Sequence, residues 1–122
     1  ASDLVVRAFP LLDGRLGAFH AFCREVHGER AADAAAFYER HGVARETWHL
    51  QDGPDGHPWV IAVTHITGKP VETAAADYAA ATEGFDAWLK SSIRTLCGVD
   101  PDTQPLGPPT ECVFDSTALG GG

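Results

Sequence analysis

Val43-Ala-Arg-Glu-Thr-Trp-His-Leu50, Gln51-Asp-Gly-Pro-Asp-Gly-His57 and Pro58-Trp-Val-Ile-Ala-Val-Thr-His65-Ile66 form one continuous stretch. Two runs rich in β-branched and aromatic residues flank a turn signal. Pro54 presets the first central turn position, Asp55 suits the second, and Gly56 can take a positive φ. This chemistry predicts a β-hairpin built on a type I turn and a bulge, closed by Gly53 and His57. Counting outward from that closure pairs Leu50 with Val60, His49 with Ile61, Trp48 with Ala62, Thr47 with Val63, Glu46 with Thr64 and Arg45 with His65. Trp48 over Ala62 is a large-on-small match that supports this register.

Working outward, Leu4–Leu12 reads as a first strand, fading at Pro10, which lacks a ladder donor. Asp13 is a candidate N-cap for a helix whose stripe is Leu16, Phe19, Cys23 and Val26. Gly28 interrupts it, an alanine-rich helical segment runs from Arg30 to His41, and Gly42 suits its C-terminus. After the hairpin, Gly68 and Pro70 end the third strand. Helical sequence then runs from Val71 to Leu96, with Gly84 marking a kink or break. Residues 99–109 read as a loop, Glu111–Asp115 as a fourth strand, and 117–122 as a flexible tail. The order β-α-β-β-α-β predicts an α+β, ferredoxin-like sandwich over residues 1–116, with helices on one face of an antiparallel sheet of strand order 4-1-3-2.

Both hairpin faces are apolar: Trp59, Ile61 and Val63 on one, Trp48, Leu50, Val60 and Ala62 on the other. A two-sided apolar sheet needs two covers. Helices supply one, and a second subunit is expected to supply the other, making a homodimer.

Composition narrows the function classes. The chain has 122 residues, 44% of them hydrophobic, and a net charge of −8. Its basic residues are scattered singly, so nucleic acid and anionic membrane are not expected as partners. No apolar run approaches the roughly 20 residues needed to span a bilayer. The opening Ala-Ser-Asp-Leu-Val-Val-Arg does not read as a signal peptide. The 3 cysteines (Cys23, Cys97, Cys112) are odd in number and widely spaced, which points to a reducing cytoplasm. His20, Cys23 and His27 share a helix face, but only Cys23 and His27 are close enough to share an ion, so no metal is expected. No phosphate loop or nucleophile elbow is present, so no cofactor is expected.

The helical first crossover, the Glu46-Thr47 pair, the hairpin, Phe85-Asp86-Ala87-Trp88-Leu89-Lys90, Asp100-Pro101-Asp102 and Pro109-Thr110-Glu111-Cys112-Val113 together resemble the dimeric α/β-barrel superfamily of ferredoxin-like proteins. Within it, the chain is most similar to an uncharacterised family of unknown function. The resemblance implies a homodimer with a pocket between sheet and helices. The wider superfamily includes cofactor-free monooxygenases, cyclases, isomerases, lyases and haem-handling enzymes, and a shared fold does not choose among them.

His49 and His65 share a predicted face with Arg45, Thr47, Trp59, Ile61 and Val63. An apolar wall with a few polar groups suits a small-molecule pocket. Arg45 opposite His65 disfavours imidazolium and would keep His65 able to accept a proton. The expected function is a cofactor-independent enzyme acting on a small, partly aromatic metabolite by cyclisation, isomerisation or oxygenation. In it, His65 or His49 is the base, Tyr78 or Arg45 stabilises oxyanion charge, and Trp59 and Trp88 supply walls. Glu46, on the other face, is a further acid, base or binding candidate. His57 is expected in solvent, and His41 at a helix end where a cation suits the dipole. The alternative is a non-catalytic dimeric ligand-binding or accessory protein.

Overall fold

The computed structural model describes residues 4–104 and 107–120. Its elements are β1 (Leu4–Pro10), α1 (Leu16–His27), α2 (Ala31–Arg40), β2 (Val43–Asp52), β3 (Pro58–Ile66), α3 (Val71–Ala80), α4 (Gly84–Cys97) and α5 (Thr117–Gly120). β1, β3 and β2 form an antiparallel sheet in that order. The fold is therefore α+β, with helices packed on one sheet face.

The hairpin forms in the expected register, from Leu50 opposite Val60 to Arg45 opposite His65. Gly56 sits at φ +79°, and the Gly53 amide donates to the His57 carbonyl at 2.8 Å. A bulge near Ala44 lets Val43 still meet Ile66. The inner face presents Val60, Thr64 and Ile66, all buried. The outer face presents Leu4, Val6 and Trp59, all exposed. Gly28 and Gly42 follow the ends of helices as expected. Gly28 closes α1 and Gly98, at φ +69°, closes α4. The long helical run after the hairpin is two helices broken at residues 81–83.

Four expectations need correction. The four-stranded order is not seen: among the described residues, 111–115 forms no strand. Pro108 and Pro109 lack the amides that would start a ladder on the free edge of β1. That edge is instead capped by side chains, since the Thr110 hydroxyl and the Arg7 guanidinium both donate to the Val6 carbonyl. Val113 and Phe114 are left exposed. The first helix begins at Leu16 rather than at an Asp13 cap. Its buried residues are Phe19 and Phe22, with Leu16 exposed, because Phe22 stacks on Trp48 at 5.3 Å. His57 is not simply solvated; its Nε2 donates to the Leu11 carbonyl at 2.6 Å. The tail opens with the single turn of α5, and residues 121–122 lie outside the described residues.

One close backbone contact positions the end of α2. Gly42, at φ +72°, turns the chain from that helix into β2. Its carbonyl accepts from the amides of Thr67 and Gly68 at 2.9 and 3.0 Å. A Cβ on Gly68 would lie 2.8 Å from the Gly42 Cα, so the two backbones approach only because both residues lack side chains. Gly68→Ala should therefore destabilise the fold by about 1–3 kcal/mol. Urea unfolding at unchanged m-value checks this, and a variant as stable as the parent would refute the contact.

Candidate functional site

Between the inner sheet face and the helices lies a cavity of about 120 Å³. Aromatic rings dominate its wall, among them Phe19, Phe22, Phe37, Tyr38, Trp48 and Tyr78. Polar side chains that are not exposed enter it at two places, and exposed Gln104 also lines it. A cavity of 150 Å³ accommodates benzene in another protein, so this space suits a ligand of about one ring.

The first polar place is Glu46, set on the inner face by the hairpin register. Its Oε1 accepts from the Tyr38 hydroxyl at 2.7 Å and from the Trp48 indole N–H at 3.1 Å. Its Oε2 accepts from the Thr64 hydroxyl at 2.6 Å. Thr64 is the cross-strand neighbour of Glu46, so the sheet ladder itself makes this bond. Both oxygens act as acceptors, which suits an ionised carboxylate.

The second place is His41, just past the end of α2. Its Nε2 meets Asp86 Oδ2 at 2.7 Å, and Arg40 pairs with the other oxygen of Asp86. The His41 and Asp86 side chains are 7% and 3% exposed, so water does not compete for this bond. A carboxylate only accepts, so Nε2 donates, and in the neutral form of the ring the lone pair is on Nδ1. His41 Nδ1 and the Tyr78 hydroxyl are buried and have no hydrogen-bond partner among the described residues. The two rings meet edge-on, with centroids 5.7 Å apart.

Burial and the surrounding charges keep the phenols protonated. Burial, then the Glu46 charge and hydrogen bond, push Tyr38 far above its ordinary value. Burial, then the charges of Glu46 and Asp86, push Tyr78 up as well, against an opposing pull from Arg94. Tyr78 is thus a neutral hydroxyl, able to donate a hydrogen bond. Burial also pushes the Cys97 thiol, on the same wall, up to about 12, which makes it a poor nucleophile.

Of the residues singled out from the sequence, Glu46 and Tyr78 line the cavity. His49, His65 and Arg45 stand exposed on the other side of the sheet. Trp59 is on that outer face too, 37% exposed. Trp88 packs behind the cavity wall, against Phe22 and under the Arg30 guanidinium at 4.0 Å. His41, Asp86, Tyr38 and Thr64 were not marked as site residues. Asp86 carried a usable signal, because it lies three and seven residues before Leu89 and Ile93 on an apolar helix face.

Comparison with protein-family models, with curated proteins and with solved structures gives no match. Among the described residues, no group of three or more His, Cys, Asp or Glu is placed to hold a metal ion. No helix among them is long and apolar enough to cross a membrane.

The chain has 2 tyrosines, and both belong to this site. An unfolded tyrosine ionises near pH 10, and both folded values lie higher. The folded state therefore holds these protons longer. Its advantage is complete below about pH 10 and declines as pH rises above that value. Phenolate absorbance should stay absent in the folded protein past pH 10 and emerge together with unfolding. A tyrosine titrating at pH 10 in folded protein would contradict this geometry.

Proposed function

We propose that the cavity binds a small, partly aromatic molecule and that the chain catalyses a cofactor-independent proton transfer on it, of the isomerisation type. The observation that carries this is the pair of buried groups, His41 Nδ1 and the Tyr78 hydroxyl, which have no partner among the described residues. Buried polar groups are nearly always satisfied, so a ligand is a natural partner for both.

His41 replaces His65 and His49 as the histidine base, because it lines the cavity while they face away from it. Nδ1 would take a proton from a carbon next to a ligand carbonyl. The electron pair left behind moves onto the carbonyl oxygen, where the neutral Tyr78 hydroxyl donates a hydrogen bond. Nδ1 then returns the proton to the ligand, so no co-reactant is consumed. Asp86, held by Arg40, supports the imidazolium formed in between.

Acetophenone in deuterated water probes this directly, because exchange of its methyl protons is visible by NMR. The protein should accelerate exchange, and His41→Asn should remove about 10²–10⁴-fold of that acceleration. Tyr78→Phe should weaken it, whereas His65→Ala should not. Exchange that is indifferent to His41 would sink the proposed base.

The same chain would pair as a homodimer through the outer sheet face, a view supported by exposed Leu4, Val6 and Trp59. Sedimentation at micromolar concentration should give the dimer mass, and Val6→Asp should shift it toward monomer. A wild-type monomer would remove the dimer from the proposal. The free thiols, with Cys112 exposed, suit a reducing compartment such as the cytoplasm.

A further inference from the structure

Resting on the cavity function proposed above, we propose that the cavity's ligand is a small amine, bound as its ammonium cation with Glu46 as counter-ion and the aromatic rings as walls.

Glu46 differs from the other described carboxylates that are not exposed. Asp86 has Arg40 and His41, and Glu25 has Arg30. Among the described residues, no cation stands within salt-bridge distance of Glu46; its partners are the neutral donors Tyr38, Trp48 and Thr64. Charges held away from water are ordinarily paired. A carboxylate has about four acceptor sites, and the three donors leave one for a ligand N–H.

The lining excludes the protein's own cations. No Lys or Arg contributes to the cavity wall among the described residues. The cations that lie over aromatic rings are committed elsewhere. Lys90 donates to the Ala79 and Ala81 carbonyls and to Asp102. Arg30 pairs with Glu25 and lies over Trp88. Elsewhere on the cavity wall, His41 faces Asp86, whose carboxylate already has Arg40. The carboxylate on the cavity wall, Glu46, is therefore without a cation among the described residues.

The walls favour the same ligand. Ring faces attract cations, most strongly where water is excluded. An ammonium beside Glu46 would have aromatic surface around it and would supply N–H donors. A carboxylate ligand would meet the Glu46 charge at close range.

Calorimetry on the full chain with benzylammonium, benzyl alcohol and benzoate tests this. Benzylammonium should bind about tenfold or more tightly than benzyl alcohol, with benzoate weakest. Glu46→Gln should erase the preference while leaving benzyl alcohol binding in place. Tyr38→Phe keeps the charge and removes one donor, so it should retain the preference; it decides the matter if Glu46→Gln does not fold. Benzoate binding as well as benzylammonium, a preference that survives Glu46→Gln, or its loss in folded Tyr38→Phe would overturn the amine assignment. Benzyl alcohol bound without any charge preference would overturn it and leave the cavity function standing. If none of the three binds, both fall.

Discussion

The hydrogen bond from Thr64 to Glu46 crosses between two neighbouring strands, and it exists only in one register. A three-residue turn sets that register, and side chains alternate faces along each strand. A slip of one residue would send Glu46, Trp48 and Thr64 to the outer face together. The inner face would then lose the carboxylate, the ring that stacks on Phe22 and the hydroxyl that links the strands. The rest of the interior is arranged against this patch. Tyr38 reaches it from α2, and Phe19 and Phe22 pack on Trp48 from α1.

The second polar group enters the apolar interior by a different route. His41 sits where α2 gives way to β2, and the Gly42–Gly68 approach ties that junction to the end of β3. Asp86 arrives from α4, 45 residues further along the chain. Neither residue would be tolerated alone in such surroundings, because an unpaired buried charge or imidazole forfeits hydration. Together with Arg40 at the rim they form a satisfied set whose remaining open valence is Nδ1. Tyr78 meets the His41 ring edge-on and responds electrostatically to Glu46 and Asp86.

The sheet ends at β1 for an equally local reason. Consecutive prolines precede Glu111–Asp115, and the adjoining Thr110 caps a strand carbonyl with its side chain. Apolar residues alone did not make that segment a strand, since strand formation on an edge needs free amides as well.

The hairpin, its register, the Glu46–Thr64 pairing and the helix boundaries at Gly28 and Gly42 were legible from residues adjacent in the chain. Turn chemistry, alternation and glycine conformation are local, so sequence carries them. The choice of face was not legible. Both hairpin faces are apolar, and only helix packing decided that the Trp48 face closes inward and the His49–His65 face stays outside. The His41–Asp86 pair was hidden for the same reason. Each residue by itself reads as an ordinary feature of a helix, and only the packing of α2 beside α4 brings them together. Their role depends on burial and on a contact between distant segments, which are properties of the packed interior rather than of any stretch of chain.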